Sequence, residues 1–455
     1  MRNPIFDAIL RRNRMAVTLL ARFGANLRAK IDIDEGHIYQ SMTPLMVASG
    51  APGEMAGIVE ALLQAGADPN EASFSEFGPL HYAAMGRWPV PGEEFSPHAQ
   101  GDFAARLRLL LTAGGDPNRA TSHGRNPLGE AAAGGDPERV RILLEAGAWP
   151  NLPPGDWSGG NEWNVDRTDF AVPLFRAASG GSPECVRLLL KAGADAAYED
   201  RAGRSALAFA ANGDSARLLI EAGADPRDPK AWFQALGWKR FDVAEALLEK
   251  GLDPNRRDGE GGLLHQAVLK RSAEGVRLLL RYGADRLVRT SDGRSPLHWA
   301  AGKGDWKTYP PRPRDEETLR VLLDSGFDPD ERDGMGRTPL HEAASGSWGG
   351  VEVTRALLER GAKPDEADEN GITPLMVAVE EGNSERVRLF LQAGADPHRV
   401  ANDGRSVEDF ALENLDFCQE TVDSPDEDNY DDDLERHLDN LEEASRALTM
   451  VRGAL

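Results

Sequence analysis

Cysteine is nearly absent from this chain: Cys185 and Cys418 are the only two in 455 residues. They cannot supply a multi-bridge disulfide framework or a four-thiolate metal site, and such sparing use is compatible with a reducing compartment, so a cytoplasmic location is expected. Aromatics make up only 7%, which leaves Leu and Ala to fill the interior. No run of 18 apolar residues occurs, so no membrane-spanning helix is expected. The opening MRNPIFDAILRRNR has two Arg after a short apolar run but no small-residue cleavage region, and does not read as a secretory signal. Basic residues are outnumbered, with 52 Lys and Arg against 75 Asp and Glu for a net charge of −23. No basic stripe is visible, so nucleic acid is not an expected partner. HExxH, a GxGxxG following a strand and a Walker-type phosphate loop are all missing. No catalytic constellation, metal or cofactor is expected, and the chain reads as non-enzymatic.

What is abundant is repetition. Apolar runs end in a glycine-led turn at Gly24, Gly66, Gly114, Gly147, Gly193, Gly223, Gly251, Gly283, Gly326, Gly361 and Gly394. Most intervals are 28 to 35 residues and the longer ones carry insertions, so one supersecondary unit has been copied about eleven times and stacked. Length alone would suggest about three compact domains. A stack in which each unit buries its faces only against its neighbours overrides that prior.

Each unit opens with a short stretch such as MTPLMVAS (42–49), FGPLHYAA (77–84), GRSPLHWAA (293–301), GRTPLHEAA (336–344) or GITPLMVAV (371–379). Thr or Ser before Pro is the order of an N-cap followed by a proline whose missing N–H costs nothing. A longer apolar helix follows, as in PERVRILLEAG (137–147), SAEGVRLLLRYG (272–283) and SERVRLFLQAG (384–394). Its Val and Leu form a buried stripe, and Arg and Glu take the outer face. The closing glycine supplies a left-handed C-cap, and Asp-Pro-Asn or Asp-Pro-Asp starts the next turn.

These TPLH-like and GADPN-like stretches, around Leu45, Leu80, Leu297, Leu340 and Leu375, resemble the ankyrin repeat family over roughly Pro4 to Phe410. The resemblance implies an all-α repeat solenoid of antiparallel helix pairs with projecting hairpin loops. It also implies that partners bind the hairpin tips and inner helices, which places Arg119, Arg256, Arg257 and Arg289 among the binding candidates. Some units depart from the pattern. Trp232 takes a Leu place, either filling space beside small neighbours or offering a face to a partner. Cys185 takes a place held elsewhere by Arg or Gly and reads as a packed thiol. His81, His265, His298 and His341 share one slot, which argues for a repeated structural hydrogen bond.

Four insertions, at 85–103, 148–170, 302–317 and 346–350, interrupt the solenoid of residues 1–410. They hold Trp88, Trp157, Trp163, Trp306, Tyr309 and Trp348, which either fold back over helix ends or anchor a protein partner. Trp306, Tyr309 and Trp348 leave equivalent points of adjacent units and are expected within about 10 Å of one another. Between Asp416 and Glu443 thirteen acids face one Arg, a net of −12. Residues 411–430 therefore read as an exposed acidic linker. Residues 431–455 read as a C-terminal helix or cap with Leu434, Leu438, Leu441 and Leu448 on one side.

Together these features point to a protein-binding module. Its first reading is a protein that recognises and restrains a basic partner, as an inhibitor or immunity factor does, with the acidic surface speeding encounter. The alternative is a scaffold that joins two or more proteins, or copies of itself.

Overall fold

The computed structural model describes residues 4–34, 39–86, 101–151, 172–259, 261–302, 316–345, 351–423 and 430–455. They form two compact units, Met1–Gly251 and Leu252–Leu455. In the first unit the helices run α1 Pro4–Leu10, α2 Arg14–Arg22, α3 Pro44–Gly50, α4 Ala56–Gln64, α5 Pro79–Met85, α6 Phe103–Thr112, α7 Pro127–Ala133 and α8 Pro137–Glu145. They continue as α9 Pro173–Gly180, α10 Pro183–Lys191, α11 Ala206–Phe209, α12 Gly213–Glu221, α13 Pro229–Gly237 and α14 Phe241–Glu249. The second unit holds α15 Leu263–Leu269, α16 Ala273–Arg281, α17 Pro296–Ala301, α18 Glu316–Asp324, α19 Pro339–Ala344 and α20 Val351–Glu359, then α21 Pro374–Glu380, α22 Ser384–Gln392, α23 Val407–Asp423 and α24 Tyr430–Ala454. Each short first helix packs on its own longer partner and on the first helices of neighbouring repeats; second helices pack on second helices. Strands are confined to two antiparallel hairpins among the described residues, Ile31–Asp34 with Tyr39–Met42 and Arg257–Asp258 with Gly261–Gly262.

The first helices start where the Thr-Pro pattern places them. Thr43 and Thr373 accept from Met46 N–H and Met376 N–H, with proline one residue in. The second helices end in a left-handed glycine. At Gly147 φ is +86° and a built Cβ would touch nothing within 4 Å. Backbone conformation, rather than space, is therefore what asks for glycine there.

Neighbouring repeats are joined by polar side chains in fixed slots. The Asn of the Asp-Pro-Asn turn reaches across to the following turn: Asn70 donates to Gly114 O at 2.8 Å and accepts from Asp116 N–H at 2.8 Å. Asn118 does the same with Gly147 O and Trp149 N–H, and Asn151 with Gly193 O and Asp195 N–H. Asn255 repeats the pattern in the second unit. Asp330 and Asp365 stand in the same slot but have no N–H to give, and they keep only the accepting half, from Lys363 N–H and Asp396 N–H.

A second device is a buried arginine in the second helix. Arg106, fully buried, donates to Ala51 O at 2.6 Å and Ser49 O at 3.2 Å at the end of α3. Arg139 reaches Ala84 O in α5 and Arg386 reaches Ala344 O in α19. Each satisfies carbonyls that the preceding short helix leaves open at its C-terminus. The carboxylates of Asp102 and Asp136 keep Arg106 and Arg139 paired.

Trp232 has no exposed surface, which settles its alternatives in favour of space filling in α13. Cys185 is likewise fully buried, and burial raises its thiol pKa. The C-terminal segment is built of two helices. Helix α23 runs through Asp423, across much of the stretch expected to be an exposed linker. The regular spacing of Val407, Phe410 and Ala411, all buried against the last repeat, starts that helix. Helix α24 packs on α22 and α23 through Ala444, Ala447, Leu448 and Val451, so of the leucine row Leu448 is buried while Leu438 stays 47% exposed. Small residues at three- and four-residue spacing let the helices approach closely, which the leucine pattern alone did not convey. Leu434 lies among residues whose side chains are outside the described set.

The asparagine slot gives a direct expectation. Asn118→Ala loses both bonds and is expected to cost about 1–2 kcal/mol, and Asn118→Asp, which retains the acceptor, less. Urea unfolding of the full chain checks this; equal midpoints for both variants and the parent would remove the slot from the stabilising set.

Candidate functional site

The hairpins of the second unit form a backbone-bonded row. Gly334 N–H donates to Asp292 O at 2.9 Å, Glu369 N–H to Met335 O at 3.0 Å and Asn402 N–H to Asn370 O at 2.9 Å. The close approach is why Gly293 is needed: a Cβ there would lie 2.5 Å from Gly334 N, at φ +81°. Below the row, Arg332 bonds Ala367 O at 2.8 Å and pairs with Glu366, and Lys363 pairs with Glu366 at 3.2 Å. The exposed rim then consists of Asp292, Met335, Glu369, Asn370, Asn402 and Asp403. Three carboxylates beside one half-exposed thioether, on a backbone held in register, suit a basic segment with an apolar anchor, although Asp292 already pairs with Arg294 at 3.2 Å and Asp403 with Arg405 at 2.7 Å. In the first unit the tips are tied by side chains instead. Ser122 N–H donates to the Glu76 carboxylate, which holds Glu76 below the usual carboxylate range. Phe74 stands 79% exposed and Tyr198 43% exposed there.

The arginines suggested by the sequence sit in these rows but are engaged within them. Arg119 donates to Asn70 O, Arg257 to Arg289 O, and Arg289 to Glu331 at 2.8 Å. Arg257 is thus brought to Arg289 of the next hairpin, Arg256 sits beside Arg257 in its own hairpin with its N–H on Asp253 O, and Arg119 belongs to the other unit. Trp88, Trp157, Trp163, Trp306, Tyr309 and Trp348 lie outside the described residues. The carboxylate rim escaped attention in the sequence because acids are common everywhere. The signal was positional: Asp292, Glu369 and Asp403 occupy corresponding tips, four or five residues before the next helix starts at Pro296, Pro374 and Val407.

The buried polar groups behind the tips are compensated. Burial opposes ionisation of Glu130, but bidentate hydrogen bonds from Arg125 at 2.7 and 3.0 Å and the Arg176 guanidinium at 3.0 Å outweigh it and hold its pKa down. Each slot histidine has both ring nitrogens committed. Nδ1 accepts from the backbone N–H of Gly78, Gly262, Ser295 or Thr338, and Nε2–H donates to Arg125 O, Arg294 O, Arg337 O or Ile372 O of the following repeat at 2.9 to 3.2 Å. That fixes the neutral Nε2–H tautomer. Burial lowers the pKa to about 4 at His81, His265 and His341, and lowers it at His298. Among the described residues no group of three or more His, Cys, Asp or Glu could hold a metal ion, and no helix is long and apolar enough to cross a membrane.

Sequence comparison agrees with this geometry. Family models for ankyrin repeats match residues 157–230, 174–258 and 312–401 in three copies, 247–300 in a many-copy form, and 40–73 as a single repeat. The chain belongs to the ankyrin repeat family. Ankyrin repeats are protein–protein interaction modules, and this ankyrin chain presents two tip rows of different chemistry. It is also similar to the human 2-5A-dependent ribonuclease, 41% identical over 68 residues, which is 14% of this chain and 9% of that protein. The ankyrin chain thus spans a small part of that relative.

Two pH dependences of opposite sign follow. His81, His265 and His341 have folded pKa values near 4 and that of His298 is also lowered, below the ordinary 6.5, so the unfolded chain binds more protons between those limits. Their contribution is complete above pH 6.5 and is lost as pH falls toward 4. Glu331, which accepts from Ser295 Oγ and Arg289, is pushed up to about 7 by burial, with Arg289 countering only in part. Its folded form holds the extra proton, so its contribution is complete below pH 4.5 and is lost as pH rises to 7. Glu331→Gln is expected to raise the thermal midpoint relative to the parent more at pH 8 than at pH 5; a pH-independent difference would contradict the assignment.

Proposed function

We propose that this ankyrin chain is a non-catalytic binding protein that holds a basic segment of a partner protein on the acidic tip row of its second unit and restrains that partner's activity. The observation that carries the reading is the carboxylate rim of Asp292, Glu369 and Asp403 on tips whose backbones are bonded repeat to repeat. A surface ordered before binding loses less entropy on complex formation. The net charge of −23 supports a basic partner and fast encounter. The short match to a ribonuclease brings no catalytic role with it. The scaffold alternative draws support from the exposed Phe74 and Tyr198 on the tips of the first unit, an apolar chemistry unlike that of the second.

Affinity capture from the native organism, with partners identified by mass spectrometry, complex mass measured and partner activity assayed, tests the reading. One stoichiometric partner that loses activity on binding is expected. Combined Asp292→Lys, Glu369→Lys and Asp403→Lys substitutions should weaken its capture at least tenfold. Several active partners would replace the inhibitor with a scaffold, and capture unaffected by the triple variant would remove the tip row as the site.

A further inference from the structure

The first helix pair differs from the rest in charge and in what it leaves uncovered. Residues 1–30 carry seven Lys or Arg and one Asp, a net of +6 in a chain of −23, so the remainder carries −29. On α2, Met15, Leu19 and Phe23 follow one another at four-residue spacing along one side and are 75, 48 and 85% exposed. They lie across the helix from Val17, which is fully buried.

Repeat register shows what this stripe is. Leu19 stands five residues before its turn glycine. At the same offset Ala61, Ile142, Leu278 and Leu389 are each buried below a tenth and Leu109, Leu188 and Leu218 half-buried, in helices that pack on the second helices of neighbouring repeats. Leu19 is therefore a helix-packing position that no helix among the described residues covers. Met15, nine residues before Gly24, corresponds to Gly, Ala or an acid in every other repeat, and Phe23 most often to Ala. The fold does not require large apolar side chains at either place. Arg11 and Arg22 border the stripe, exposed and with no side-chain partner among the described residues. Arg14 on the same helix is paired with Glu60 at 3.0 Å.

We propose that the outer face of α2 is a second docking surface, which receives an acidic amphipathic helix of a partner protein across Met15, Leu19 and Phe23. The helix packs where a preceding repeat's second helix would lie, and its flanking carboxylates meet Arg11 and Arg22. The argument for an acidic occupant is charge: two copies of this face meeting each other would oppose arginine to arginine. The argument for a helix is the packing position of Leu19 and the shortness of the stripe, about 12 Å from Met15 to Phe23 at 1.5 Å per residue. This length matches a helix crossing and is less than a surface-lying membrane helix usually buries.

A fluorescein-labelled 18-residue helical peptide, with Leu on one face and Glu on its flanks, titrated into the full chain and read by anisotropy, tests the proposal. Saturable binding at micromolar concentration is expected, weakening as salt rises. Met15→Ala with Phe23→Ala should weaken it at least tenfold, and Arg11→Ala with Arg22→Ala should flatten the salt dependence. All four side chains are exposed, and unchanged thermal melting confirms that the variants fold. Absence of saturation, or binding indifferent to both pairs, overturns the proposal. So does phosphatidylserine vesicle binding that depends on Met15 and Phe23 without peptide binding, which assigns the face to a membrane surface. Sedimentation that shows a parent dimer dissolved by Met15→Ala with Phe23→Ala assigns it to a second copy instead.

Discussion

The hydrogen bond from one repeat's first helix to the next repeat's hairpin is the link on which the rest of the structure depends. His81, His265, His298 and His341 each take the N-cap N–H of their own helix on Nδ1 and give Nε2–H to a carbonyl of the following unit. One ring thereby starts a helix and spaces two repeats. The asparagines of the turns and the buried arginines of the second helices apply the same logic at other heights of the unit. A stack has no long-range core, so its cooperativity is the sum of such nearest-neighbour terms. Where a slot is filled by a residue without the donor, as at Asp330 and Asp365, half of one term is missing.

This coupling is also what builds the candidate site. Tips that would otherwise be independent loops are held edge to edge in the second unit, and their carboxylates stand at repeat spacing. The arginines beneath them are spent on carbonyls and on Glu331, Glu366 and Glu342. On the outward face Asp292 pairs with Arg294 at 3.2 Å and Asp403 with Arg405 at 2.7 Å, so the rim stays acidic but is partly neutralised. In the first unit the ties pass through side chains, and aromatic side chains reach solvent, so the two units offer different chemistry on the same framework.

Much of this was legible in the sequence because it follows from local chemistry. Thr-Pro at helix starts, glycine at helix ends and the shared histidine slot each have one conformational explanation, and repetition multiplies the signal. What was not legible depends on distance across repeats. Arg119, Arg257 and Arg289 look like free tip cations in one dimension, and only the stacking shows their acceptors. The leucine row of residues 431–448 places Leu448 on the buried face, but the helix completes that face with Ala444, Ala447 and Val451, and Leu438 stays exposed, because close approach rewards small residues. Acids are too frequent for the rim of Asp292, Glu369 and Asp403 to stand out until their tips are aligned.

The tips of the second unit are ordered by bonds between repeats before any partner arrives. Amide hydrogen exchange at Gly334, Glu369 and Asn402, resolved by NMR on the free chain, tests it most directly. These amides lie in solvent-exposed turns, yet each is bonded to the neighbouring tip. Protection comparable to that of the helices behind them is the predicted result. Exchange at the rate of an unstructured loop would contradict the claim that the stack presents a preformed row.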